Sequence, residues 1–368
     1  MVSVEADTVR RSLSRALRER LRDAAGRLPG PGAEDPAAAA APTWSALVRA
    51  GAPGLDAPLD AGGLELGLTA STAVAEELGG AGLDARYLGV AAAIDAALEA
   101  GPVRHAALVE RLVAGELPVT QAGFEGAVAG VRAGSGADDA VRLTGELAVD
   151  AGPETAVLAP VALAGGGTAV VLLAPGGAAV ASRDPSGAPS RMTFEGGVVP
   201  GARLLCAWPA GADCPEGPAG RARVRQAAYL LGVARGALHT GVRHATERHQ
   251  FGRPLRDFQS VAFRLAAAHV EVEVLRLAVG RAVHLADGGH PYGHRAAEVL
   301  AQAAETAAEV SRLTMQLCGA RGLTGELPAH RYHLLVRREG GRLGRPGELW
   351  REAGRRRLSA LARRDGAG

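Results

Sequence analysis

Apolar residues recur at helical spacing at both ends of this chain and at strand spacing in its middle. Val9, Leu13, Leu17 and Leu21 stand four apart, one stripe of a helix predicted over residues 6–27. A Pro/Gly/Ala stretch from Leu28 to Pro42 reads as loop, and Trp44–Ala50 as a short helix. After a turn in Gly62–Leu68, helical patterns cover about Thr69–Leu78, Leu83–Glu99 and Val103–Ala114. The pattern changes at Pro118. Val141–Val149, Ala156–Leu163, Thr168–Leu173, Ala178–Ser182 and Arg191–Phe194 are short runs rich in Val, Leu and Thr between glycine clusters, the mark of strands. Gly165-Gly166-Gly167 has strand-like flanks and no following Gly-Lys-Ser/Thr, so it reads as a hairpin turn rather than a phosphate loop.

From Gly220 the helical period returns. Val224, Ala227, Ala228, Leu231, Ala234 and Leu238 form one stripe, and Val261, Leu265, Val272 and Leu275 another. Residues 293–318 and 346–362 complete four long helices with short connections, which pack as an antiparallel bundle. The class is mainly α with a central β domain. The expected divisions are residues 1–117 (helical), 118–215 (β) and 216–368 (helical bundle).

Composition narrows the function more than the fold. The chain has 368 residues, 47% hydrophobic but only 3% aromatic, so its cores must be built from Ala, Val and Leu. All 41 basic residues are arginines, yet the net charge is only +2, which argues for neither nucleic acid nor an anionic membrane as partner. Cys206, Cys214 and Cys318 show no paired spacing, in keeping with a reducing cytoplasm. With no signal peptide and no apolar run of about twenty residues, a soluble cytoplasmic protein is expected. The histidines form no metal-spaced set with a carboxylate, and no G-x-S-x-G elbow occurs, so neither a metal centre nor a serine hydrolase is expected.

The most informative stretch joins two bundle helices and runs from Arg248 to Gln259 (RHQFGRPLRDFQ). Gly252 and Pro254 supply the break, and Asp257 is placed to cap the next helix. Arginine offers a planar fork to phosphate oxygens and glutamine can bridge a ring nitrogen and a carbonyl, a combination suited to a nucleotide-type ligand. This R-x-Q-F-G-x-P-L…F-Q resembles the signature turn of the acyl-CoA dehydrogenase family of flavoproteins. Gln316 to Glu326 is similar to that family's Q-x-x-G-G-x-G-x-T-x-E, in the right order and spacing.

The resemblance covers nearly the whole chain and implies an N-terminal helical domain, a middle β-barrel-like domain and a C-terminal four-helix bundle. It implies FAD lying between the β domain and the bundle, with its adenine half crossing a subunit interface. Arg248 would hold the pyrophosphate; Gln250, Phe251, Leu255 and Gln259 would surround the adenosine; Gln316 and Gly319 would complete that end; Thr120 would bond the flavin ring; Arg223 would lie near the substrate. The implied reaction is FAD-dependent α,β-dehydrogenation of an acyl-CoA or acyl-carrier-protein thioester. Its implied partners are that thioester, an electron-transferring flavoprotein, and further subunits in a homodimer, a homotetramer or a heterotetramer.

The chain also departs from the family. Ala320 stands for a second glycine, Gln121 for a glutamate, and Val149 and Ala151 for a tryptophan and threonine beside the ring. The catalytic glutamate has two usual positions, and these hold Ala222 and the segment Leu343-Gly344-Arg345. Glu339 and Glu326 are the substitute candidates for proton acceptor, with Glu348 also near in sequence. The matched C-terminal segment is closest to a short subgroup often found as one half of mixed α2β2 assemblies, where one subunit type carries the base. The alternatives are thus an accessory subunit completing a partner's FAD site, or a non-redox acyl-binding member of the fold.

Overall fold

The computed structural model describes residues 36–101, 103–122, 132–135, 141–149, 155–163, 166–175, 190–199, 201–209, 217–324 and 327–365, together with Thr8, Ser12 and Ala16. The helix predicted over 6–27 therefore lies largely outside the described residues, as do the strand predicted at Ala178–Ser182 and residues Cys214, Ala151 and Glu326.

Helix α1 (Pro36–Arg49) takes in residues expected to be loop. Five consecutive alanines, the strongest helix formers, carry it through Pro42, and Pro36 is suited to a first helical position. Helices α2 (Gly67–Gly80), α3 (Arg86–Glu99) and α4 (Ala106–Val113) follow, within a few residues of the apolar periodicity that predicts them.

A sheet comes next, with strands β1 (Val119–Gln121), β2 (Arg132–Ser135), β3 (Val141–Val149), β4 (Ala156–Leu163), β5 (Thr168–Leu173), β6 (Ser190–Val198) and β7 (Arg203–Trp208). The order is β6-β3-β2-β4-β5-β7, with β1 pairing parallel to β4. Strands β4 and β5 pair antiparallel on either side of the triple-glycine turn. Along β4 the side chains alternate between two cores, as the twofold strand period requires. Ala156 and Leu158 join the large helical core, whereas Val157, Ala159 and Val161 pack with Leu143, Leu147 and Phe194 in a second core confined to the sheet.

The bundle consists of α5 (Pro218–Glu247), α6 (Gln259–Asp287), α7 (Gly293–Cys318), the single turn α8 (Ala320–Leu323), α9 (Ala329–Glu339) and α10 (Pro346–Asp365). A two-residue hairpin, β8 (His249–Gln250) with β9 (Arg253–Pro254), makes the turn between α5 and α6. Asp257 does not cap α6. It ends a 3-10 turn over Leu255–Asp257 and pairs with Arg256 at 3.7 Å, which leaves Phe258 at the N-cap with no side-chain cap.

Helix α5 is the pillar of the molecule. It crosses α2 backbone to backbone: a Cβ at Gly79 would lie 2.0 Å from the Tyr229 carbonyl oxygen, and one at Gly232 would lie 2.0 Å from that of Glu76. Charge fixes its N-terminal half. Fully buried Arg225 donates to Asp56 and to Asp95 at 2.5 Å each and to Ser71 at 3.0 Å. Burial alone would lower its pKa, but Asp95 and Asp56 reverse the sign and raise it, so the guanidinium stays charged in the core. Among the described residues no helix is long and apolar enough to cross a membrane.

Candidate functional site

The sequence-predicted site residues fall at two ends of α5. At its C-terminal end the two matched motifs meet. Arg248 leaves α5 in extended conformation, and its carbonyl accepts from the Leu255 amide at 2.9 Å, closing the turn. Buried His244 lies between the motifs, hydrogen-bonded to the Leu317 backbone and facing Arg321 and Arg248; burial first, then those two cations, lower its pKa. Arg264, one turn into α6, donates to the Gln316 side chain at 2.9 Å. Arg248, Gln250, Phe251, Gln259, Gln316 and Gly319 are all exposed here, while Leu255 is half-buried against the main core and anchors the turn.

Two backbone observations bear on a ligand. Phe251 has φ +53, a region that costs a non-glycine residue about 1–2 kcal/mol, yet its side chain is 92% exposed. Among the described residues its ring makes an edge contact to Phe258 at 6.3 Å, a ring over which Arg253 also stacks at 4.1 Å. Gly319 has φ +56, and a Cβ there would have nothing within 4 Å in front of it. Exposed arginines, an outward aromatic and an unobstructed glycine suit a planar group joined to a phosphate chain.

The second end is a cleft between α3, β1 and the segment after α9. Thr120 and Gln121 line it with Asp84, Arg338, Glu339 and Arg342. Glu339 is only 1% exposed and its carboxylate is fully engaged. Arg342 donates to both of its oxygens (Nη2 to Oε1 at 2.9 Å), Arg338 donates to Oε1 at 2.9 Å, and buried Gln226 donates to its backbone oxygen at 3.0 Å. Arg342 also donates across the cleft to the Gln121 carbonyl. Burial works to raise the Glu339 carboxyl, but Arg342 and Arg338 outweigh it and hold it down at about 2.

Both oxygens of Glu339, one of the expected proton acceptors, are thus engaged by arginines. Glu348 is exposed in the first turn of α10. Ala222, at one of the family's two glutamate positions, lies one turn before Gln226 on α5, and Leu343-Gly344-Arg345, at the other, directly follows Arg342. Val149 is buried in the sheet core, so its position presents no aromatic face to a ligand.

Arg223, expected near the substrate, has its guanidinium in a bidentate pair with Glu352 of α10 at 2.7 and 3.0 Å. Sequence reading missed Gln226, Arg338, Arg342 and Glu352. The i,i+3 spacing of Glu339 and Arg342 was the available signal for an internal pair.

Residues 211–340 match the family description "Acyl-CoA dehydrogenase, C-terminal domain". Over 111 residues the chain is 35% identical to the short-chain specific acyl-CoA dehydrogenase of Rattus norvegicus, a match spanning 30% of this chain and 27% of that relative. Among solved structures, the Tcur3481-Tcur3483 steroid ACAD superposes with a TM-score of 0.78 at 28% identity, covering 98% of this chain and 100% of the other. The ChsE4-ChsE5 complex from Mycobacterium tuberculosis gives 0.74 at 26% identity, covering 95% of each chain. The butyryl-CoA dehydrogenase of Megasphaera elsdenii, at 18% identity and TM-score 0.77, shares the fold. Over residues 211–340 the chain is thus similar in sequence to the C-terminal domain of acyl-CoA dehydrogenases, and over nearly its whole length it is similar in fold to solved structures named as such.

Proposed function

We propose that this chain is the clamp-bearing subunit of a two-component, FAD-dependent acyl-CoA dehydrogenase, and that the carboxylate base resides on the other component. One observation carries the reading: the residues suited to a dinucleotide face outward, while the carboxylate at the reactive cleft is sealed between Arg342 and Arg338. The adenine-end residues fit FAD, with Arg248 for the diphosphate, Phe251 for the planar base and Gly319 for close backbone approach. The ring end fits less well: Thr120 and Gln121 line the cleft, but Val149, at the family's tryptophan position, is buried in the sheet core.

Geometry supports a second chain. Gln226, beside the cleft, and Arg248, at the clamp, are 22 residues apart along one helix and its cap, or about 33 Å at 1.5 Å per residue. The clamp of one protomer thus serves a flavin whose ring rests on another. Helix α6 next to the clamp carries Phe263, Val270, Val274 and Leu277 outward, 64%, 58%, 46% and 65% exposed, an apolar stripe that suits burial against a neighbouring chain. Two of the similar structures carry paired names, Tcur3481-Tcur3483 and ChsE4-ChsE5, and both exceed 25% identity.

When bound, FAD supplies the hydride acceptor for dehydrogenation of an acyl thioester whose α-proton a carboxylate removes. This chain's part is to hold the diphosphate and adenine and to cover the partner's cleft; electrons would leave to an electron-transferring flavoprotein. The test is to purify the chain alone and co-expressed with a base-carrying relative. The chain alone should be colourless and the pair yellow, with flavin absorbance that bleaches on adding acyl-CoA. A lone chain that is yellow and bleached by acyl-CoA would overturn the proposal.

A further inference from the structure

We propose that the Arg338–Glu339–Arg342 bracket bolts this chain's own cleft shut against an acyl thioester, so that its clamp serves only a flavin seated on a partner. The inference rests on the proposed function above and goes one step beyond it. A missing base would leave an open cleft that binds substrate unproductively, whereas a bolt removes the cleft from use.

Three observations support a bolt. Arg342 spans the cleft: one face of its guanidinium is committed to Glu339 at the end of α9, and Nη1 donates to the backbone oxygen of Gln121 in β1, next to Thr120. The sheet and the bundle are thereby tied across the cleft. The group is also buried, with Arg342 and Glu339 side chains 12% and 1% exposed. Gln226, fully buried on α5, hydrogen-bonds Glu339 from behind, so the carboxylate cannot turn into the cleft without breaking its bonds to Arg338, Arg342 and Gln226 together.

The backbone is equally unfavourable to a base. At Gly344 φ is +131, and a Cβ would lie 2.8 Å from Leu349 Cδ2, so a glutamate side chain there would be strained and would meet the start of α10. Arg342 therefore occupies the cleft, and Gly344 turns in a way that presents no side chain to it.

Hydrogen–deuterium exchange on the full-length chain reads the bolt directly, with butyryl-CoA and octanoyl-CoA as probes and residues 84–89 and 118–122 as reporters. In the wild type neither probe should change exchange in those segments. The double variant Glu339→Gln/Arg342→Met removes both charges together, so no ion is left buried alone, and it opens the bridge to Gln121. In it, one of the probes should slow exchange in both segments at least tenfold.

Arg342→Lys is the second variant for the case where the double variant does not melt cooperatively. Lysine keeps a cation on Glu339 but cannot reach Gln121 as well, and it should show the same gain to a smaller degree. Probe-dependent protection in the wild type overturns the bolt, as does a folded variant that gains none. Flavin retention by the co-expressed pair is measured separately. Protection gained by the variants alone, with no flavin in the pair, would sink the proposed function and leave the bolt standing.

Discussion

Arg223 on α5 and Glu352 on α10 meet in a bidentate ion pair, with Nη1 to Oε1 at 2.7 Å and Nη2 to Oε2 at 3.0 Å, and Arg356 adds a third contact to the same carboxylate at 2.9 Å. The guanidinium that the family resemblance assigns to substrate is thus already matched by a carboxylate of its own chain, and the pair fastens the last helix to the pillar. Burial would raise the Glu352 pKa, but the hydrogen bonds and charge of Arg223, then Arg356, lower it. A lowered carboxyl pKa stabilises the fold above its unfolded value of about 4.3, and that contribution is lost as pH falls through the folded value. Glu352→Gln should therefore cost about 1–2 kcal/mol at pH 7, an amount discounted for partial exposure. Denaturant melts at pH 7 and pH 3 should show a gap between variant and wild type that narrows in acid. A gap of the same size at both would mean the loss is not electrostatic.

Glu339 sets a steeper acid limit. Its folded pKa of about 2 lies below the unfolded value of about 4.3, a difference worth about 3 kcal/mol at neutral pH. The sign is that of a depressed carboxyl: full stability above about pH 4.3, progressive loss toward pH 2. Glu339→Ala leaves Arg338 and Arg342 without their shared counter-ion and should destabilise by about 3–5 kcal/mol at pH 7. Glu339→Gln/Arg342→Met should be milder than either single change, because the two charges leave together. A strictly additive double variant, measured by urea melts, would remove the coupling.

Gly232 is where helix propensity and packing give opposite signs. In an isolated helix Gly→Ala gains about 1 kcal/mol. Here the new methyl would sit 2.0 Å from the Glu76 carbonyl oxygen and 2.8 Å from the Gly80 amide nitrogen, both main-chain atoms that cannot swing aside. Gly232→Ala should push α2 off α5 and lower the melting temperature by several degrees, with a loss of about 1–3 kcal/mol or more. Gly354→Ala on α10 has nothing within 4 Å of its added methyl and is the control, expected to be neutral or slightly stabilising. Equal behaviour of the two would refute the close crossing.

What the sequence made legible divides along lines of range. Val141–Val149, Ala156–Leu163 and Thr168–Leu173 could be bounded from local chemistry, because glycine turns and β-branched runs sit side by side in the chain. Strand β1 was missed: its three residues are stabilised by pairing to β4 and packing under α3, neither of which is local. Asp287 accepting from the Leu68 and Thr69 amides at 2.7 and 2.9 Å is a helix N-cap supplied by a residue 219 positions away, invisible to any window. The proposed clamp could be framed from sequence because its residues are contiguous within two short motifs. The cleft was not: Gln121, Gln226, Glu339 and Arg342 come from three separate segments, and only folding shows that Glu339 is enclosed rather than poised.

Phe251 joins strain to the proposed clamp, and its variants should separate stability from flavin retention. At φ +53 an asparagine is tolerated far better than a phenylalanine, and the ring lost is 92% exposed, so little packing goes with it. Phe251→Asn should therefore leave the isolated chain as stable as wild type or more so, by up to about 1 kcal/mol. Arg248→Ala, at an exposed cap, should be neutral to within about 0.5 kcal/mol. In the assembled pair both should lower flavin occupancy, Arg248→Ala through the diphosphate and Phe251→Asn through the lost aromatic face. The measurement is flavin absorbance per protein after gel filtration, beside melts of the isolated chains. If Phe251→Asn keeps full occupancy while stabilising the chain, the strained aromatic serves something other than the flavin, and the clamp reduces to Arg248, Gln316 and Gly319.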